Sequence, residues 1–198
     1  MTFRPDALAE FAVFIVAACW LGFGGILAIG NRGAAKASRK RDAISHLGFF
    51  LQCCGYAICF LFHRAYFSPL FPMSKVMEGT ISALAIAIAL ASEWFCFVAA
   101  RALGRQWSLV ARVIEGHDLI DRGPYAVVRN PIYLAMFGML VATGLAVSRW
   151  HALLAAIVVF LAGNSIRIQS EERLLREAFG SRFDDYAHRV PAFFPRFL

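Results

Sequence analysis

Three polar blocks interrupt an otherwise apolar chain: LGRQWS at 103–108, GHDLIDRGPYAVVRNPIY at 116–133 and RIQSEERLLREAFGSRFDDY at 167–186. In the middle block Gly123 and Pro124 demand a turn, and Pro131 suits the first turn of a helix, where its missing N–H has no partner to lose. The open N–H groups of such a helix start, together with its positive dipole end, attract an anion. Tyr125 and Tyr133 add aromatic surface able to sandwich a purine. The same residues also describe an arginine-rich loop whose tyrosines anchor a helix at a membrane interface. In the last block Arg167 and Glu171 are four apart and share a helix face, while Glu172 projects about 100° away. A carboxylate there accepts from ribose hydroxyls or a cationic amine, and an arginine holds a carboxylate through two bonds. Equally, Glu172–Arg176 and Arg173–Glu177 have the spacing of a solvated, ion-paired face.

Deciding between these readings requires the elements that carry the blocks. Of the 198 residues 60% are apolar, and the mean hydropathy is +0.61; a soluble domain is roughly 45–50% apolar. Several stretches of about twenty residues, almost free of charge, match a hydrocarbon core of about 30 Å. They predict spans at 9–29, 44–62, 80–100, 131–147 and 150–166. The first is too long and wrongly flanked for a cleavable signal peptide. The net charge of +7 sits between the spans, where it reports topology and anionic head groups rather than nucleic acid. Five cysteines (Cys19, Cys53, Cys54, Cys59 and Cys96) fall inside spans, with no CxxC pair and no histidine at ligand spacing. They read as small buried hydrophobes, not as a zinc site or a disulfide framework.

The basic residues order these spans. Arg32, Lys36, Arg39, Lys40 and Arg41 follow the first span, and Arg101, Arg105, Arg112, Arg122 and Arg129 follow the third. Arg173, Arg176, Arg182, Arg189 and Arg196 follow the fifth. The intervening connections offer only Arg64 and Lys75, and then Arg149. Positive loops stay in the cytoplasm, so the N-terminus is expected outside, with the C-terminus and all three polar blocks at the cytoplasmic face. The short SRWH turn at 148–151 predicts a tight hairpin between spans four and five. Beyond it Leu175, Phe179, Phe183, Tyr186 and Val190 form one stripe of an amphipathic helix, bent at Gly180, that suits the membrane surface or the bundle. The expected fold is an all-α integral membrane protein of about five transmembrane helices with a C-terminal cytoplasmic amphipathic helix. Residues 1–100 supply helices one to three and 101–198 the catalytic part, within one domain.

In order and spacing, the blocks resemble the isoprenylcysteine carboxyl methyltransferases and the related phospholipid methyltransferases. Those proteins carry a GRxWS-like element, then H-x-L-V, G-x-Y and R-H-P-x-Y-x-G, then R-x-x-x-E-E, F-G, a tyrosine and V-P. Here stand His117-Asp118-Leu119-Ile120, Gly123-Pro124-Tyr125, Arg129-Asn130-Pro131-Ile132-Tyr133, Arg167 with Glu171-Glu172, Phe179-Gly180, Tyr186 and Val190-Pro191. The likeness runs from about residue 103 to the end; the first hundred residues match only in being transmembrane. Asn130 replaces the motif histidine and Ala135 its glycine. Asparagine keeps a donor and an acceptor but cannot be charged, and the larger side chain at 135 bears on the substrate more than on the reaction.

The resemblance implies an S-adenosylmethionine pocket built from His117, Asp118, Leu119, Ile120, Tyr125, Asn130, Pro131, Ile132, Tyr133 and Glu171. Arg167 would face a lipid-like substrate, and Arg129, Glu172 and Tyr186 would be further candidates. A carboxylate acceptor arrives ionised and needs only alignment, whereas an amine, thiol or phenol must lose a proton. No strong base stands out in the blocks, which favours carboxyl O-methylation over lipid N-methylation. A sterol-reductase-like enzyme would need a dinucleotide site, and no glycine-rich fingerprint is present. A non-enzymatic lipid-binding protein is the remaining alternative. The partners expected are the bilayer and an amphiphilic small molecule; no nucleic acid and no metal are expected.

Overall fold

A computed structural model describes residues 7–32, 43–65, 68, 70, 74–104 and 119–195. Its helices are α1 (Ala7–Arg32), α2 (Ala43–Leu61), α3 (Lys75–Leu103), α4 (Pro131–Val147), α5 (Trp150–Phe179) and α6 (Ser181–Arg189), with a 3-10 turn at Gly123–Ala126 before α4. The protein is all-helical, and α1, α2, α3 and α5 are long and apolar enough to cross a membrane. Their apolar side chains, Phe14, Leu21, Phe50 and Val158 among them, stand exposed. A water-facing surface rarely carries so many. The fourth expected span, α4, has 17 residues, about 26 Å at 1.5 Å per residue. It is the most enclosed helix, with Ala135, Met139, Leu140, Ala142 and Thr143 all buried.

Small residues set the packing. The buried face of α3 is Ser82, Ala85, Ala89, Ser92, Cys96 and Ala99, at steps of three and four. Against this face lie α1 and α4, joined in a core of Val16, Cys19, Phe23, Ala89, Cys96, Ala135 and Met139. On the other side α2 and α5 approach through glycine. A Cβ on Gly163 would lie 2.6 Å from the Gly48 carbonyl oxygen, and one on Gly55 would lie 3.1 Å from that of Ala156. Glycine therefore permits a backbone contact that any side chain would open. Phe160, Leu140, Leu153, Ala156 and Cys59 fill the core where α2, α4 and α5 meet.

The expected hairpin between α4 and α5 is present, and it is tied to the end of α2. Arg64 N–H donates to the Val147 carbonyl at 3.0 Å, and Arg149 N–H to that of Phe62 at 3.1 Å. The Arg64 guanidinium then caps the last turn of α4, donating to the carbonyls of Leu145, Ala146 and Ser148 at 2.7–2.8 Å. The carbonyls of Leu145 and Ala146 are among the four that every helix end leaves open.

Helix α5 joins the fifth expected span to the helical segment expected after it. The apolar stretch stops near Ile166, yet the helix runs unbroken to Phe179, since hydrogen bonding along a helix does not depend on its surroundings being apolar. It stops at Gly180, whose φ of +54° lies in the left-handed region that favours glycine. There the chain turns back into α6, whose Phe183 and Tyr186 are buried against the bundle. The amphipathic stripe thus covers protein.

Candidate functional site

The ends of α3, α4 and α5 converge on a cleft closed by α6. Leu103, Leu119, Ile120, Tyr125, Arg129, Asn130, Glu172, Leu175, Phe183 and Tyr186 line this small, partly open cleft. Pro131 opens α4 beside it, and Asn130, at the N-cap, makes no side-chain hydrogen bond to the helix. Its Nδ2 donates instead to the Ala192 carbonyl at 2.8 Å. Arg129 does the most to hold this end together. Its Nε donates to Glu172 Oε1 at 2.9 Å and its Nη1 to the carbonyls of Ala187 and Val190, while its N–H donates to the Pro191 carbonyl at 2.8 Å. One arginine thus fastens α5 and the chain beyond α6 to the entrance of α4. The Tyr186 hydroxyl donates to the Tyr125 carbonyl at 2.6 Å. Burial pushes the phenols of Tyr125 and Tyr186 well above their ordinary value; the charge of Glu171 reinforces this at Tyr125, while that of Arg129 opposes it at Tyr186. Both hydroxyls stay protonated at neutral pH.

Beside the cleft and deeper in the bundle lies a second polar group. Glu171 accepts from the Tyr133 hydroxyl and lies 3.6 Å from Arg167 Nη2. The Arg167 guanidinium stacks over the Tyr133 ring at 4.8 Å and the Phe49 ring at 5.5 Å. Arg167 is 4% exposed, and its Nη1 donates to Gln52 Oε1 at 3.1 Å. Gln52 Nε2 donates in turn to Asn164 Oδ1 at 3.1 Å. Among the described residues no cluster of histidine, cysteine and carboxylate side chains suits a metal ion.

Of the residues singled out from sequence, Leu119, Ile120, Tyr125, Asn130, Arg129, Glu172 and Tyr186 meet in the cleft. Arg167, Glu171 and Tyr133 meet in the neighbouring group. Ile132 instead packs into the α1–α3 core, and Pro131 is buried at the helix start. His117 and Asp118 lie outside the described residues, as do positions 105–108 of the first block. The carboxylate expected at the cofactor was Glu171; the one lining the cleft is Glu172, because α5 turns Glu171 toward Tyr133 and Arg167. Sequence reasoning missed Gln52, Asn164 and Phe49. A glutamine and an asparagine inside apolar spans were the available signal.

The family to which this architecture belongs is shown by comparison: the phospholipid methyltransferase profile matches residues 80–182, over half of the chain, and the chain belongs to that family. Over 99 residues the chain is 40% identical to the nickel-cobalt-cadmium resistance protein NccN of Alcaligenes xylosoxydans xylosoxydans, covering 48% of this chain and 44% of that protein. It is 33% identical over 96 residues to the cobalt-zinc-cadmium resistance protein CzcN of Cupriavidus metallidurans, with the same coverage. Over 81 residues it is 32% identical to protein-S-isoprenylcysteine O-methyltransferase B of Arabidopsis thaliana, covering 41% of each chain. The matched region spans less than half the length of these curated relatives.

Proposed function

We propose that this protein is an S-adenosylmethionine-dependent methyltransferase acting on a lipid-like substrate at the cytoplasmic face of a membrane. The observation that carries the reading is the pairing of two sites across one helical turn. A polar, aromatic cleft and a buried arginine lie beside each other along α5, with the adjacent Glu171 and Glu172, about 100° apart around the helix, each turned to one of them. The cleft suits the cofactor by the chemistry of its walls. Tyr125, Phe183 and Tyr186 offer aromatic surface, Glu172 a carboxylate, Asn130 an amide and Arg129 a cation. The start of α4 adds the positive end of a helix dipole. When bound there, the cofactor supplies an electrophilic methyl group on a sulfonium.

The acceptor we favour is a carboxylate. Arg167 is buried where the polar end of the bundle meets its apolar part, and its planar fork would grip a carboxylate through two bonds while an apolar tail remained in the bilayer. A carboxylate needs no base, and the protonated phenols of Tyr125 and Tyr186 offer none. The residues of the chain therefore contribute alignment, approach and exclusion of water rather than proton transfer. Isoprenylcysteine O-methylation, the activity in the name of the Arabidopsis relative, is the nearest precedent. The basic segments at 31–41 and in the C-terminal tail support five spans, with the N-terminus outside and the site in the cytoplasm.

Purified protein in detergent, given cofactor labelled in its methyl group, should label an acceptor in a total lipid extract or a prenylcysteine analogue. A carboxyl ester releases the label as methanol in alkali. Absence of any labelled product, together with no cofactor binding by calorimetry, would overturn the reading.

A further inference from the structure

Helix α2 lies outside the family-matched region, yet two of its residues, one turn apart, serve Arg167. At Gly48 a Cβ would stand 2.6 Å from Arg167 Cγ and 2.7 Å from the Gly163 carbonyl oxygen. The missing side chain is what lets the stem of Arg167 pass between α2 and α5. At Gln52, 1% exposed, the amide oxygen accepts from Arg167 Nη1. The orientation of that amide follows from chemistry. A guanidinium carries donors only, so Gln52 must turn its oxygen toward Arg167 and its NH2 toward Asn164, which accepts through Oδ1. Reversing either amide would set donor against donor, and in a buried, apolar setting an unmet polar group is costly. Asn164, 2% exposed, therefore holds Gln52 in the one orientation that engages Arg167.

A glutamine also differs from a carboxylate in what it leaves intact. It occupies one N–H of the guanidinium and fixes its plane over the Tyr133 and Phe49 rings, without adding a second negative charge to that of Glu171 at 3.6 Å. Building an amide pair into an apolar helix interface is expensive if its purpose is only adhesion, because glycine and alanine already bring α2 and α5 together.

We propose that Gln52, oriented by Asn164 and given room by Gly48, is the positioning residue for Arg167, aligning the guanidinium for an anionic acceptor while preserving its charge. This inference rests on the substrate-facing role of Arg167 proposed above.

A double-mutant cycle tests it. Initial rates with labelled cofactor are measured on wild type, Gln52→Leu, Arg167→Lys and the double variant, with cofactor affinity by calorimetry and a thermal midpoint for each. Gln52→Leu should lower kcat/KM about tenfold, a size expected for residues sharing one hydrogen-bond network, and that loss should vanish in the Arg167→Lys background. Cofactor affinity should stay within about twofold of wild type, because Gln52 lies outside the cleft. Gln52→Glu is the second variant, and it decides if the leucine chain does not fold. A carboxylate at 52 still pairs with Arg167 and keeps the helices joined, yet it adds a second negative charge to that of Glu171 and repels an anionic acceptor, so KM for the acceptor should rise without a drop in thermal midpoint. Equal losses of rate in both backgrounds, or a Gln52→Glu chain with wild-type KM, would overturn the positioning role while leaving the methyltransferase reading in place. A wild-type chain that neither binds cofactor nor transfers a methyl group would overturn the reading itself, and the inference with it.

Discussion

Arg129 and Glu172 are joined twice through one carboxylate oxygen: Arg129 Nε donates to Glu172 Oε1 at 2.9 Å and Nη2 approaches the same atom to 2.7 Å. The pair is mostly buried, at 12% and 16% side-chain exposure, so removing one partner strands the other. Arg129 also holds the carbonyls of Ala187 and Val190. Arg129→Gln should therefore cost about 3 kcal/mol of stability, the scale of a broken buried ion pair. The check is a thermal or denaturant melt, with proteolysis after α6 as a local reporter. A melt unchanged from wild type would show that the clamp contributes nothing.

The two adjacent glutamates should separate cofactor from substrate. Glu172 lines the cleft, while Glu171 lies between Tyr133 and Arg167. Glu172→Gln is expected to weaken cofactor binding by roughly 1–3 kcal/mol, as for a lost hydrogen bond to a charged group. Glu171→Gln, at the junction of the two sites, should cost at most the lower end of that range in affinity but lower turnover clearly. Calorimetry and initial rates on both variants decide the assignment, and the reverse pattern would return the cofactor contact to Glu171, where sequence alone had put it.

The different surroundings of these two glutamates mark what the sequence could and could not supply. Pro131, the SRWH turn and Gly180 mark where helices begin and end because their effects on the backbone are local. The order of motifs from Arg129 to Tyr186 correctly grouped side chains that meet at one end of the bundle. Which of two neighbouring glutamates lines the cleft depends on how α5 is rotated about its axis, and that is set by packing against α2 and α4. Gln52 was polar in an apolar span, but its partners Asn164 and Arg167 are more than a hundred residues away. No local periodicity reports such a contact.

Gly48 offers a test of packing with a functional readout. A methyl group there would press on Arg167 Cγ and on the Gly163 carbonyl, and backbone cannot yield cheaply. Gly48→Ala should destabilise by about 1–3 kcal/mol, the usual cost of overpacking. It should also lower turnover by shifting Arg167. A melt and a rate measurement check both, and wild-type values would mean that α2 and α5 part without penalty.

The orientation proposed from the charge bias is open to direct mapping. Single-cysteine labelling in intact and permeabilised cells should find residues 31–41 and the C-terminal tail on the same, cytoplasmic side. Opposite sides would break the five-span arrangement, since α1 and α5 would then differ in parity.

Arg167→Lys separates substrate handling from cofactor binding. Arg167 is 4% exposed, 3.6 Å from Glu171 and stacked on Tyr133, but it does not line the cleft. Lysine keeps the charge and so should keep the pairing with Glu171 and most of the stability. It loses the planar fork, and with it two-bond capture of a carboxylate, the stacking on Tyr133 and the bond to Gln52. Cofactor affinity should therefore stay near the wild-type value while turnover falls by at least about tenfold, the effect of misaligning a reacting group. If Arg167 only pairs with Glu171 to stiffen α5, lysine should be mild in turnover, and exchanging the charges of residues 167 and 171 should restore the melting temperature. Affinity, turnover and melting temperature measured on the same preparation distinguish the two, and full activity with lysine would remove Arg167 from the substrate site.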